Sequence, residues 1–286
     1  YEIEAIDVKG DWAEVVEIND IASFILGTKA KTLKRLQKMV VNSRIENQIS
    51  FNKDSWDSGK KEVINSILNL FGNKKNLIIR SSSQSEDCFD FANAGKFKSI
   101  LNVKPEIKKL SDSIDEVIKS FGENVDKNDE VLIQPMLTDV IASGVALTRT
   151  LEHASPWYVI NYEEGNNTQS ITGGTSKDHK TFYIKRNINN NIDNPIWIRN
   201  LLISLKEIEE LLLYDTLDIE FAVNKKHEIF ILQVRPITNV ENKKFEDHEY
   251  NEKFKISHRI WDNLKKSPPH IPGNASAAYG LMPDWN

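Results

Sequence analysis

The sequence has little of what characterises secreted, membrane-spanning or nucleic-acid-binding proteins. It contains one cysteine, Cys88, so no disulfide can form within the chain. This favours a reducing compartment, and we expect a cytoplasmic protein. Apolar runs such as Leu77–Ile79 and Leu211–Leu213 are far shorter than the roughly 18–20 residues of a membrane span. Lys+Arg number 37 and Asp+Glu 42, and a net charge of -5 argues against nucleic acid or an anionic membrane as partner.

What the chain does contain is typical of a folded globular protein. It has 286 residues, of which 40% are hydrophobic and 28% charged. This length suggests one large domain or two smaller ones. The chain begins at Tyr1 without a methionine and stops at Asn286 after an apolar stretch of small residues. We therefore expect a domain of a longer polypeptide, whose reaction needs residues outside this chain.

Helical and extended patterns are mixed along the chain, which predicts the α+β class. Apolar residues recur at helical spacing in Thr28–Val40, Lys61–Phe71, Ile107–Phe121 and Ile198–Leu213. Short apolar or alternating runs predict strands at Leu77–Ile79, Val131–Met136, Gly144–Thr148, Trp157–Tyr162, Leu217–Val223 and Ile229–Arg235. Glu241–Lys255 is dense in charge and predicts a solvated helix or a linker.

The last two predicted strands alternate in polarity. In Leu217–Val223 the apolar residues share one face, and Asp218 and Glu220 share the other. The same reasoning for the next strand places Gln233 and Arg235 on one face, opposite Phe230, Leu232 and Val234.

A four-residue loop, Lys225–Glu228, would join these strands into a hairpin that pairs Glu220 with Gln233 and Asp218 with Arg235. Carboxylate and amide oxygens suit Mg²⁺, which binds one or two carboxylates and completes its shell with phosphate and water. A guanidinium beside them could bind phosphate through two hydrogen bonds. The alternative is a solvated hairpin with an ordinary cross-strand ion pair.

Two further segments could bind phosphate. Arg80–Asp87 (RSSSQSED) follows directly on a predicted strand, and its guanidinium, hydroxyls and backbone N–H groups could hold a polyphosphate. A serine-rich loop that leads into a helix cap is the alternative. Gly27–Lys29 opens the first amphipathic helix and could form an anion site, or Lys29 could be a surface charge.

Together these segments resemble the ATP-binding domain of the pyruvate phosphate dikinase and phosphoenolpyruvate synthase family. The matching stretches follow the family's order and are GTKAKTLKRL (27–36), LIIRSSSQSEDCFDFANAGKFKSILNV (77–103), VLIQPML (131–137), SGVALTRT (143–150) and DIEFAVNKKHEIFILQVRPIT (218–238). The chain departs from the family at Gly27–Ala30, where the usual motif is Gly-Gly-Lys-Gly. The threonine at position 28 stiffens this turn.

The resemblance implies an ATP-grasp fold in which two subdomains, 1–130 and 131–240, clamp ATP and Mg²⁺, with 241–286 as linker and start of a following region. It also implies roles for individual residues. Catalytic cations would be Arg80, Arg149 and Arg235; nucleotide-binding residues would be Lys29, Arg80, Gln134, Met136, Asp218, Glu220 and Gln233; and the magnesium ligands would be Glu220 and Gln233. Gln134–Leu137 would supply backbone groups to the adenine edge.

The resemblance further implies a multidomain phosphotransferase that phosphorylates a carrier histidine on another domain and releases AMP and phosphate. His179 follows a Gly-Gly-Thr-Ser segment similar to the family's histidine motif, but we expect it to be a surface residue, with the carrier beyond residue 286. The tail after Ala277 resembles proteins of surface-polysaccharide loci, among them an L-glutamine kinase of capsule phosphoramidate synthesis, so the acceptor would be L-glutamine or pyruvate. A non-catalytic ATP sensor and an interaction module without a ligand are the alternatives.

Overall fold

The computed structural model of the chain describes residues 18–74, 76–83, 98–122, 125–151, 153–165, 180–186, 194–237 and 247–264. Several features singled out in the sequence lie outside these residues: Cys88, His179 and the part of the serine-rich segment beyond Ser83. Among the described residues, no helix combines the length and apolar character needed to cross a membrane.

A four-stranded antiparallel sheet forms the first layer, in the order β1-β4-β2-β3. Its strands are β1 (Ile49–Asn52), β2 (Leu77–Ser82), β3 (Ser99–Val103) and β4 (Glu130–Pro135). Three helices, α3 (Lys53–Ser58), α4 (Lys60–Phe71) and α5 (Ile107–Ser120), share its core. Trp56, Ile67 and Leu110 are fully buried in that core, as expected for the apolar stripes of amphipathic helices.

A second antiparallel sheet has five strands in the order β7-β6-β5-β8-β9. The strands are β5 (Val140–Leu147), β6 (Trp157–Glu164), β7 (Lys180–Lys185), β8 (Leu217–Asn224) and β9 (Ile229–Pro236). At Gly144 an added Cβ would lie 2.1 Å from the carbonyl oxygen of Asn161 on the neighbouring strand. The SGVALTRT glycine therefore permits a close approach of β5 to β6.

The apolar face of the second sheet is covered by helices from both ends of the chain. α6 (Ile196–Leu212) buries Ile198, Leu201 and Leu205 there. α1 (Ile18–Ile25) and α2 (Lys29–Leu36) contribute to the same cluster, α2 through Ala30, Leu33 and Leu36. α2 therefore packs on the second sheet although it precedes the first sheet in sequence.

The two antiparallel sheets and their helices confirm the predicted α+β class. The division at residue 130 stays a prediction, but strand pairing assigns Glu130–Pro135 to the first sheet. The charge-dense segment contains a helix, α7 (Asp247–Leu264), which contacts the second sheet: the Trp157 indole N–H donates to the Tyr250 hydroxyl at 2.8 Å.

Candidate functional site

The hairpin of β8 and β9 brings together the four polar residues that its alternation predicts. Asp218 pairs with Arg235, and Glu220 pairs with Gln233. The Arg235 guanidinium donates to Asp218 Oδ2 from Nε at 2.9 Å and from Nη2 at 2.8 Å. Both predicted cross-strand pairs are confirmed.

The route to that register differs from the prediction. The Asn224 N–H donates to the Glu228 carbonyl, and the strand pairing begins with Val223 opposite Ile229. A plain four-residue loop would instead place Asn224 opposite Ile229. A β-bulge at Leu232 then restores the expected pairing at Gln233.

The bulge also reverses the faces of β9 near the loop. Phe230 and Leu232 pack with Val140 and Ala222, away from the main core that holds Val234. The expectation that these three apolar residues share one face was wrong, because the extra residue shifts the alternation by one.

Arg80 connects the first sheet to this hairpin. It lies within β2, which continues to Ser82 and so is longer than the predicted strand that ended at Ile79. Its Nη2 donates to Glu220 Oε2 at 3.0 Å, across 140 residues of sequence. Its Nη1 donates to the carbonyl of the bulged residue Leu232 at 3.1 Å. A predicted phosphate-binding cation and a predicted magnesium ligand thus meet between the two sheets.

Glu220 is an ionised carboxylate in this setting. Burial by itself would raise its pKa, but the charges of Arg80 and Lys29 and the hydrogen bond from Arg80 outweigh burial, so the pKa is lowered. Lys29 is itself buried. Two cations from the amino-terminal part of the chain therefore act on one carboxylate of the second sheet.

Asp218 behaves differently although it lies two residues away. Burial raises its pKa, the charge of Arg235 and its hydrogen bond only partly compensate, and the Glu220 charge adds to the increase. Its Oδ1 is buried and has no hydrogen-bond partner among the described residues. Such an orphaned acceptor is costly unless a ligand supplies the missing contact.

This donor set fits Mg²⁺ bound together with a phosphate chain. No cluster of three or more His, Cys, Asp or Glu side chains able to hold a metal occurs in the described part of the chain. Two carboxylates and an amide are nonetheless what Mg²⁺ uses when phosphate and water complete its shell. The unpartnered oxygen of Asp218 supports this fit.

The amino-terminal end of α2 carries Lys29 and is held by contacts that the sequence patterns did not predict. Thr28 is the N-cap, and its hydroxyl donates to Glu130 Oε2 at 3.1 Å while accepting from the Lys31 N–H. The Ala30 N–H donates to Ser82 Oγ at 2.9 Å. β2 and β4 of the first sheet therefore fix the start of α2 and with it Lys29.

Arg149 lies in a second buried cluster. Its Nε donates to Asp215 Oδ2 at 3.0 Å and its Nη1 to the Ala154 carbonyl at 2.9 Å. Asp215 Oδ2 is also 3.8 Å from Nη2 of Arg186. The sequence predicts Arg149 as a phosphate-side cation, and the structure gives it a carboxylate partner within its own half of the molecule.

Arg186 extends this cluster to α6. It pairs with both oxygens of Glu209, and its Nη1 donates to the Thr148 carbonyl at 2.8 Å. Tyr158 donates to Glu209 Oε2 at 2.9 Å. Burial, which the Arg186 charge only partly offsets, raises the pKa of Glu209.

The predicted adenine segment begins in the first sheet and continues past the end of β4 at Pro135. Gln134 is buried in β4, and its side-chain amide lies 3.4 Å from the Glu46 carbonyl. The Met136 N–H donates to the Asn76 carbonyl at 2.9 Å, so that backbone donor is engaged within the sheet. Leu137, just beyond, packs against the Phe230 cluster of the second sheet.

The comparison with protein families agrees with this geometry. A family model described as "Pyruvate phosphate dikinase, AMP/ATP-binding domain" matches residues 28–193, more than half of the chain. The chain belongs to this family. The family is described by AMP/ATP binding, and the two-sheet architecture of this chain is an ATP-grasp fold. The match ends before β8, so the hairpin residues are assigned from the motif resemblance and the geometry.

Similar solved structures include three ligases. D-alanine-D-alanine ligase from Helicobacter pylori has 14% identity over 74% of this chain and 54% of its own, with a TM-score of 0.41. D-alanyl-alanine synthetase A from Vibrio cholerae has 10% identity over 81% and 61%, with a TM-score of 0.45. L-amino acid ligase from Bacillus licheniformis has 10% identity over 76% and 44%, with a TM-score of 0.45.

This chain spans only about half to three fifths of the length of the two ligases from Helicobacter pylori and Vibrio cholerae. A search of curated protein sequences finds no significant match.

Proposed function

We propose that this chain binds Mg·ATP between its two sheets and orients the triphosphate for phosphoryl transfer to a histidine on another domain of the same polypeptide, in the cytoplasm. The observation that carries the proposal is the Arg80–Glu220 pair, which joins a phosphate-binding motif of the first sheet to a magnesium-binding motif of the second. Both side chains are largely shielded from solvent, so their electrostatic interactions are strong.

Each residue has a role that follows from its charge and position. Glu220 and Gln233 would hold Mg²⁺, with Asp218 Oδ1 beside them. When bound, the ion would neutralise the phosphate oxygens. Lys29, Arg80 and Arg235 would offset the negative charge that the transferring group develops, and phosphoryl transfer depends mainly on such positioning and charge stabilisation.

The proposed chemistry is that of the family. A nitrogen of the carrier histidine bonds to the β-phosphorus while the bridge to the α-phosphorus breaks and AMP leaves. Water then removes the terminal phosphate and leaves phosphohistidine, which passes its phosphoryl group to an acceptor. L-glutamine in a capsule phosphoramidate pathway, or pyruvate, is the acceptor that the resemblance favours.

Calorimetric titration with Mg·ATP tests the binding site. Arg80→Met and Glu220→Gln each remove a charge-assisted contact, so we expect affinity to fall roughly 10- to 100-fold. Lys60→Ala, which breaks an exposed ion pair between α4 and Asp115 of α5, is the matched control and should bind like the parent. Parent-like affinity in both site variants, with the fold intact, would reject the site.

Exchange of labelled AMP into ATP by the full-length protein tests the transfer step. We expect exchange that depends on the carrier histidine. Tight binding without exchange would identify an ATP sensor, and the absence of any thermal shift with Mg·ATP would identify an interaction module.

A further inference from the structure

A cavity of about 280 Å³ lies at the opposite end of the β8–β9 hairpin from Asp218 and Glu220. It is bounded by residues 41–44 after α2, by Asn200 and Ile203 of α6, and by the turn residues 226–229. The lining residue Ile229 pairs with Val223, which is three residues along β8, or roughly 10 Å, from Glu220. Its size suits a small metabolite rather than a nucleotide.

Hydrogen bonds between three separate elements fix the walls of this cavity. The Arg44 N–H donates to the Ile229 carbonyl at 2.8 Å, and the Ile231 N–H donates to the Arg44 carbonyl at 2.9 Å. The Asn200 side-chain amide donates to the His227 carbonyl at 2.9 Å. The cavity is therefore preformed, and a ligand would meet little ordering cost there.

Two lining side chains have polar atoms without a hydrogen-bond partner. Ser43 is only 7% exposed, and its hydroxyl is unpartnered among the described residues. His227 is half-buried, and its Nδ1 atom is buried without a hydrogen-bond partner among the described residues. Buried polar groups are nearly always satisfied, so two orphans at one cavity indicate a missing partner. A single χ1 rotation is enough to turn a serine hydroxyl toward a ligand.

His227 also occupies a backbone conformation that disfavours it. Its φ is 59°, in the left-handed region where glycine costs least at a hairpin turn. A histidine there costs about 1–2 kcal/mol relative to an unstrained residue. Backbone strain of this kind is typical of ligand-binding positions.

The charges around the cavity favour an anion. Arg44 and Lys226 line it, and Glu228 is the carboxylate opposite them. Oε1 of Glu228 is 2.6 Å from Nη2 of Arg44, so the Glu228 charge balances that of Arg44. Arg44 and Lys226 against Glu228 leave the lining with an excess positive charge, and the serine hydroxyl and the histidine ring N–H add further donors.

We propose that this cavity binds a small oxyanion, the phosphate or carboxylate group of a metabolite, at a site separate from the nucleotide site. Ser43, Lys226 and His227 would donate to it. The proposal does not depend on the proposed function, because it uses none of the nucleotide-binding residues.

Histidine side-chain ¹H–¹⁵N spectra of the intact chain test this site. The His227 signals are assigned by their loss in His227→Gly, a variant that relieves the backbone strain and should fold. The protein is titrated with inorganic phosphate and, in a second arm, with acetate at the same ionic strength. We expect a saturable shift of the His227 signals, and the arm with the lower half-saturation identifies the anion.

Two variants separate a specific site from general charge attraction. Ser43→Ala should raise the anion concentration at half-saturation roughly tenfold, since it removes a hydrogen bond to a charged group. Lys225→Ala removes a neighbouring exposed charge that pairs with Asp139 and should bind like the parent. Equal weakening by both variants would overturn the proposal. A His227 signal that stays unchanged with both anions would mean that the cavity holds only water, and would overturn it too.

Discussion

Two buried arginine–carboxylate clusters occupy different places in this molecule and have opposite electrostatic outcomes. Arg80 and Glu220 meet between the two sheets, where cations outweigh burial and the pKa of Glu220 is lowered. Arg186 and Glu209 meet inside the second half, where burial outweighs the cation and the pKa of Glu209 is raised.

The difference shows that the pKa of a carboxylate in a buried ion pair depends on the other charges and hydrogen bonds around it. Glu209 also accepts from Tyr158, so its contacts are completed by protein groups and connect α6 to β6. Glu220 lies under two cations, Arg80 and Lys29, and beside an acid with an unpartnered oxygen. The first arrangement stabilises one half of the fold, and the second has both the excess charge and the unsatisfied acceptor expected of a ligand site.

The largest effect is expected from Arg186→Ala. It leaves Glu209 buried without its cation, and breaking a buried pair in this way costs about 3–5 kcal/mol of unfolding free energy. Because the folded-state pKa of Glu209 is already raised, the loss should be smaller at acidic pH, where the carboxyl is protonated, and larger as pH rises through that pKa.

Urea unfolding at acidic and alkaline pH measures this loss. Lys98→Ala, which removes an exposed pair with Glu116, serves as control and should change stability little. A loss for Arg186→Ala as small as the control's would show that the two clusters do not differ as described.

The next effect distinguishes the two carboxylates of the hairpin. Glu220→Gln should lower the unfolding free energy by roughly 3 kcal/mol at neutral pH, because Arg80 is left buried and uncompensated. Asp218→Asn should stay within about 1 kcal/mol of the parent or stabilise it, because burial already penalises the ionised form.

The stability difference between the parent and each variant should change with pH in opposite directions for Glu220→Gln and Asp218→Asn. Glu220 has a lowered pKa, so its contribution is present above the ordinary value of 4.5 and is lost as pH falls through the folded pKa. Asp218 has a raised pKa, so its ionisation weakens the fold as pH rises through the folded value. Denaturant titrations between acidic and neutral pH measure both, and parallel curves for the two variants would contradict the assignment.

The smallest effect concerns the N-cap of α2. Thr28→Ala removes the cap and the contact to Glu130 and should cost about 1 kcal/mol, whereas Thr28→Ser should retain most of it. Affinity for Mg·ATP should fall with Thr28→Ala and return with Thr28→Ser if the cap positions Lys29. A stability loss with unchanged affinity would limit Thr28 to a structural role.

The sequence predicts the polar hairpin face well because alternation is a local property. Any loop conformation that keeps Glu220 paired with Gln233 places four polar residues on one face: Asp218, Glu220, Gln233 and Arg235. The bulge at Leu232 depends on the hydrogen bonding of the turn, and no residue type in the strand predicts it.

Contacts between distant segments are not readable from spacing. The family resemblance implied only that Arg80 and Glu220 serve one site, and their direct ion pair was not predicted. The contact of Glu130 with Thr28 was not predicted either. Glu209 could have been found, because it lies four residues after Leu205 and three before Leu212, on the buried stripe of α6. An acid in an apolar stripe predicts a buried partner, although the sequence does not say that Arg186 supplies it.

The packing of α2 gives Lys29 and Arg80, the two cations proposed to bind phosphate, different anchors. Lys29 is carried by a helix whose apolar side chains belong to the core of the second sheet, whereas Arg80 is carried by a strand of the first sheet. A separation of the two sheets would take Arg80 away from Glu220 and leave Lys29 close to it, at the cost of the Thr28–Glu130 and Ala30–Ser82 hydrogen bonds. An opened domain would thus keep Lys29 beside the carboxylate, and Arg80 would join it only on closure.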